Sequence, residues 1–85
     1  MLTAKGTPRI LVVEEETSVA DDLANRLIRA GYAVCGQAST TDAAIELVKK
    51  HRPDLVMMDV ALGGAMDWTE AVNLIRGQWY CKIAL

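Results

Sequence analysis

Three consecutive acids, Glu14, Glu15 and Glu16, directly follow one aliphatic run, and a fourth, Asp59, stands at the end of another. The first run, residues 10–13 within PRILVVE, reads as a strand buried on both faces, as parallel sheets require. The second, residues 54–60 (DLVMMDV), reads the same way. In an open parallel sheet, ligands bind at the carboxyl ends of the strands. Neighbouring strands lie about 4.8 Å apart, so acids ending two adjacent strands converge within a few ångströms. Like charges that close are unfavourable unless a proton or a cation intervenes. A hard divalent cation is the economical answer: Mg²⁺ takes oxygen ligands and commonly uses one or two carboxylates plus a phosphate. An Asp beside such a metal is equipped to attack phosphorus as a carboxylate nucleophile, and the metal neutralises charge on the transferring group.

The elements that must hold these acids alternate strand and helix. After the first strand, Thr17 or Ser18 is positioned to cap a helix, with Asp21 three residues after Ser18 completing a capping box. Val19, Leu23 and Leu27, with Ile28 beside them, recur at helical spacing. Gly31 supplies a left-handed stop. Residues 32–38 (YAVCGQA) form a weaker strand, interrupted by Gly36 and placed near a sheet edge. Ser39 or Thr40 caps a second helix carrying Ala44, Ile45, Leu47 and Val48. Its last turn holds Lys49, Lys50 and His51, which suit the helix dipole, and Pro53 closes it. The loop of residues 61–66 contains Gly63 and Gly64. A third helix begins at Asp67, with Glu70 three residues on and an apolar stripe of Ala71, Leu74 and Ile75, and Gly77 ends it. Residues 80–85 (YCKIAL) read as the start of a fourth strand. Three βα units plus a strand predict an α/β fold with a parallel sheet and right-handed βαβ crossovers.

Composition is that of one small globular domain: 85 residues, 52% hydrophobic and 24% charged, without Phe, so the core is aliphatic. A net charge of −2 provides no basic footprint for nucleic acid. No stretch approaches the roughly 20 apolar residues of a membrane span. Residues 1–8 read as a flexible tail and residues 9–85 as the domain. Cys35 and Cys81 form no metal-ligand pattern, and a reduced, cytoplasmic setting is the default.

ILVVEEE at the first strand, PDLVMMDVALGGAMDW around the third, and the spacing between them resemble the receiver domain of two-component response regulators, from Arg9 to the end of the chain. The resemblance implies a flavodoxin-like fold with strand order 2-1-3-4, lacking the family's final strand and last two helices. It makes Asp59 the phosphoacceptor, with Glu14 and Glu15 as the acidic pair that holds Mg²⁺. The backbone carbonyl of Ala61 would complete the protein's share of the metal shell. It implies a histidine kinase or phosphotransfer protein as phosphodonor and altered partner contacts as the output. The chemistry implied is self-catalysed phosphoryl transfer and aspartyl-phosphate hydrolysis at most. Three departures stand out. Glu15 occupies a position where the family has Asp, Trp68 falls where it has Gly, and the Ser/Thr and Lys that contact the phosphoryl group in family members have no counterpart here.

Glu15 and the missing Ser/Thr and Lys favour an alternative from another class, a non-phosphorylated receiver-like interaction module, whether pseudo-receiver or fragment. A haloacid-dehalogenase-like phosphatase would need an Asp two residues past the nucleophile, where Ala61 stands. His51 at a helix end reads as a dipole-complementing surface residue. With strand order 2-1-3-4, Cys35 and Cys81 fall about 14 Å apart, beyond disulfide reach. An exposed apolar edge on the fourth strand predicts self-association through that edge, or by exchange of an element, unless the chain is part of a longer protein.

Overall fold

Successive residues of a strand point to opposite faces, so an unbroken aliphatic run needs cover on both. In the computed structural model, which describes residues 6–58, 73 and 82–84, two helices supply it. The elements are β1 (Arg9–Val13), α1 (Thr17–Arg29), β2 (Ala33–Ala38), α2 (Thr41–His51), β3 (Leu55–Met58) and β4 (Lys82–Ala84). The strands form one sheet in the order β2-β1-β3-β4, with all neighbours parallel. This is the α/β arrangement and strand order read from the sequence. Ile10 and Val12 pack with Ala20 of α1, flanked by Leu23, Leu27, Leu55 and Met57. Leu11 and Val13 turn the other way, onto Ala44, Ile45 and Val48 of α2 and onto Val56 and Met58. Each such fully buried aliphatic side chain stabilises the fold by about 1.5–3 kcal/mol relative to its exposed state.

The start of α1 differs from the capping-box reading. Its N-cap is Glu16, in extended conformation and without a side-chain cap bond, so Thr17 and Ser18 already lie in the helix. The link from β1 is only three residues long, and the Glu14 carboxylate ties it by accepting the Glu16 backbone N–H at 3.2 Å. The apolar stripe is also rotated. Ala20 and Ala24 are the buried residues of α1, while Val19 is 42% and Ile28 54% exposed. Small alanines let the helix approach the sheet, and Val19 and Ile28 are left on its two flanks. The end of α1 matches expectation: Gly31 has φ +100°, and its N–H reaches the Ile28 carbonyl while that of Tyr32 reaches Leu27, both at 3.0 Å. This is a Schellman closure, in which the orphan carbonyls of the last turn are satisfied.

Thr40 caps α2, its Oγ1 accepting the Ala43 N–H at 3.1 Å. The C-cap is Arg52, a non-glycine residue held left-handed at φ 48°. Its carbonyl accepts from Arg9 Nη1 at 3.3 Å. β2 is an edge strand, as its composition suggests, and it begins at Ala33 rather than Tyr32. Its register with β1 slips once: Ile10 faces Val34 and Leu11 faces Gly36, leaving Cys35 as the extra residue. Asn73, inside the expected third helix, is helical. The rest of that helix, the 61–66 loop and Cys81 lie outside the described residues, as do residues 1–5 of the expected tail.

Candidate functional site

The carboxyl edge of the sheet is set by register. Val13 pairs with Ala38 on one side and with Met58 on the other, so β2, β1 and β3 end level. The next residues in sequence are Ser39, Glu14 and Asp59. Glu14 extends the ladder one step, donating its N–H to the Ala38 carbonyl at 2.9 Å. Its side chain is half-buried, whereas Glu15 and Glu16 are exposed.

The β1–β3 alignment is secured at the opposite edge. The Arg9 N–H donates to Asp54 Oδ2 at 2.8 Å, and the Asp54 N–H donates to the Arg9 carbonyl at 2.8 Å. Four residue pairs then run without a slip from Ile10–Leu55 to Val13–Met58.

Glu14, Thr17, Gln37, Ala38 and Ser39 border a small depression of about 210 Å³ at the carboxyl edge. Thr17 and Gln37 were not singled out as site residues. Their positions, at the start of α1 and the end of β2, are the signal that would have found them. A larger groove of about 590 Å³ runs between one flank of α1 and β2, bordered by Asp21, Ile28, Cys35 and Gln37; it shares Gln37 with the depression, and neither Glu14 nor Glu15 borders it.

The structure thus places two of the four candidate metal ligands, Glu14 and Glu15, together on the β1–α1 link. Asp59 and Ala61 lie outside the described residues, as do Gly63, Gly64, Asp67 and Trp68. The donor chemistry of the link suits a hard cation. Only one Glu14 oxygen, Oε2, is engaged with Glu16, and the carboxylate of Glu15 is exposed. Among the described residues no three His, Cys, Asp or Glu side chains converge as a metal shell, so a cation held here requires ligands from beyond them.

Comparison with known proteins agrees with this geometry. Residues 10–84 match the family described as the response regulator receiver domain. The chain is 43% identical over 54 residues to the transcriptional regulatory protein PdtaR of Mycobacterium tuberculosis, covering 64% of this chain and 26% of PdtaR. It is 33% identical over 68 residues to the chemotaxis protein CheY of Bacillus subtilis, covering 80% of this chain and 56% of CheY. Among solved structures, the PhyR response regulator REC domain of Erythrobacter litoralis matches with a TM-score of 0.82 and 30% identity, over 95% of this chain and 63% of that one. The signal receiver domain of a modulated diguanylate cyclase from Desulfovibrio desulfuricans G20 matches with a TM-score of 0.84 and 28% identity, over 91% and 62%. The chain spans only about a quarter of the length of PdtaR and of the Bacillus subtilis regulator YvrH, where the share is 28%.

Proposed function

The chain belongs to the response regulator receiver domain family, and on that premise we propose that it accepts a phosphoryl group on Asp59 from a histidine kinase or phosphotransfer protein in the cytoplasm. The observation that carries this reading is the unbroken β1–β3 register, which makes Glu14 and Asp59 the residues following its last pair, Val13 and Met58. Mg²⁺, when bound, would draw charge from the phosphoryl oxygens. Glu14, Glu15, Asp59 and the Ala61 carbonyl are the groups to hold it. An Asp59 carboxylate oxygen attacks phosphorus, the bond from phosphorus to the donor imidazole breaks, and the imidazole, already protonated on its other ring nitrogen, leaves neutral. Asp59 becomes an acyl phosphate, and water attacking its phosphorus breaks the acyl O–P bond, releasing inorganic phosphate and restoring the carboxylate. The half-buried Glu14 stays fixed through its bond to the Glu16 N–H, so charge on this edge is preorganised before phosphate arrives.

The test is incubation with Mg²⁺ and a small acyl-phosphate donor, followed by intact mass. One added phosphoryl group on the wild type and none on Asp59→Ala is the expected result. No addition to the wild type, or equal addition to Asp59→Ala, defeats the reading.

A second reading, a receiver-like module that docks without phosphorylation, is favoured by Glu15. Its longer side chain is exposed at a position where Mg²⁺ demands close octahedral geometry. Under either reading β4, the outermost strand among the described residues, is proposed to pair with a second copy through backbone hydrogen bonds. A strictly monomeric species in light scattering would contradict that contact.

A further inference from the structure

The charges of this chain are sorted along the strand direction. Arg26 and Arg29 lie in the last turn of α1, and Lys49 and Lys50 in the last turn of α2. Arg9 opens β1, Lys82 opens β4, and Arg52 follows α2. Every described Lys and Arg therefore sits toward the amino ends of the strands. Four of the eight described acids sit at the carboxyl ends: Glu14 to Glu16 on the β1–α1 link and Asp42 in the first turn of α2. Asp21, Asp22 and Glu46 lie mid-helix, where Asp22 and Glu46 face Arg26 and Lys49. Asp54, the one described acid at the amino edge, is engaged by the Arg9 N–H.

Helix dipoles favour cations at helix C-termini, which accounts for the helical lysines and arginines taken singly. It does not account for Arg9 or Lys82, which begin strands. Because the strands are all parallel and each crossover helix returns antiparallel to them, the same preference is repeated at one edge and becomes a pole.

Two of these cations are occupied, Arg26 by Asp22 at 3.0 Å and Lys49 by Glu46 at 4.0 Å. Arg29, Lys50 and Arg52 are exposed and take no part in either ion pair. β1 alone rises about 16 Å over its length, twice the roughly 8 Å Debye length at physiological salt. The poles thus do not neutralise each other within one molecule, and each is open to an outside partner.

We propose that the amino pole docks the acidic carboxyl pole of a second copy, head to tail. Charge complementarity selects this occupant, since the same chain carries the matching acidic surface. The net charge of −2 argues against a nucleic acid, which the acidic pole would repel. The contact is heterologous, so it extends into open chains rather than closing as a dimer. It rests on charge alone and does not require that Asp59 accept phosphate; because Glu14 and Glu15 are also the proposed Mg²⁺ ligands, it is tested in metal-free buffer.

The test is sedimentation velocity of the purified chain at several concentrations in low and high NaCl. Two variants accompany it: one carrying Lys50→Glu and Arg52→Glu, the other Glu15→Lys and Glu16→Lys. The wild type is expected to associate at low salt and to weaken by about tenfold or more at high salt, as screening removes exposed charge pairs. Each variant alone is expected to lose the salt-sensitive association, and an equimolar mixture of the two to regain it as a mixed complex. Recovery on mixing also shows that both variants are folded. Salt-independent mass distributions, undiminished association of either variant alone, or no recovery on mixing would overturn the proposal. Pairing at the β4 edge is distinguished by surviving high salt and both substitutions.

Discussion

Asp54→Ala should be among the most damaging single changes at the amino edge, and its size follows from one bond. Asp54 Oδ2 accepts the Arg9 N–H at 2.8 Å, within the short range of charge-assisted hydrogen bonds. Bonds to charged groups contribute about 1.5–3 kcal/mol net. Asp54 is half-buried rather than enclosed, so water recovers part of the loss and the lower portion, about 1.5–2 kcal/mol, applies. The reciprocal bond, from the Asp54 N–H to the Arg9 carbonyl at 2.8 Å, belongs to the backbone and survives. Asp54→Asn keeps an acceptor but not the charge, and a neutral bond retains about 1 kcal/mol, so it should lose about half as much. A kilocalorie shifts the midpoint of a domain of this size by about 4–8 °C, which puts the Ala variant roughly 6–16 °C below wild type. Urea unfolding with an unchanged slope isolates the stability term. A loss below about 0.5 kcal/mol for Ala, or equal losses for Ala and Asn, would refute the assignment of a charge-assisted clamp.

Thr40→Ala removes the acceptor for the Ala43 N–H and should cost about 1 kcal/mol, with Thr40→Ser close to wild type in the same urea experiment. Burial pushes the Cys35 thiol up, while Arg9 pulls it the other way, and its Sγ–H donates to the Ile10 carbonyl at 3.5 Å. Alkylation of the Cys35 peptide, followed by mass mapping, should be slower in the folded chain than in urea, and equal rates would contradict its burial. Because the folded thiol is raised above its unfolded value, its stabilising effect is complete below the unfolded range. It is lost as pH rises through the folded value. Glu15→Asp should tighten Mg²⁺ binding severalfold in calorimetric titration, by restoring the shorter carboxylate. Weaker binding would show that the longer Glu15 side chain is the better ligand.

Central strands were legible because both their faces are covered: residues 10–13 and 54–58 offer no alternation, only continuous apolar sequence. The second helix was legible because Thr40 and the basic last turn are strong local signals. Less visible were features created by tertiary fit. Nothing in Arg52 announces a left-handed C-cap, since arginine carries no turn preference. It adopts one where the chain turns from α2 toward β3 and its carbonyl is held by Arg9. Of the α1 stripe, Leu23 and Leu27 pack on the core while Val19 and Ile28 do not, because close approach to the sheet favours Ala20 and Ala24, which hydrophobicity ranks below them. At the candidate site, Glu14 and Glu15 were identifiable by type and position. How Glu14 braces the link, through the Glu16 N–H, depends on a backbone course that residue types do not encode.

The two sides of β1 tolerate different things, and this bears on where chemistry belongs. Toward β2 the register slips at Cys35, yet Val13 still ends opposite Ala38, and Glu14 still bonds to it. The slip is absorbed by an edge strand that carries none of the proposed metal ligands. Toward β3 no slip occurs. A shift of one residue there would send alternate β3 side chains to the opposite face, exchanging the buried Val56 and Met58 for Leu55 and Met57. It would displace whatever follows Met58 by about 3.3 Å along the strand, more than an octahedral Mg²⁺ site tolerates. The Asp54–Arg9 clamp at one edge and the proposed phosphoryl site at the other are therefore two ends of one constraint. Sequence variation that loosens the clamp should lower Mg²⁺ affinity as well as stability.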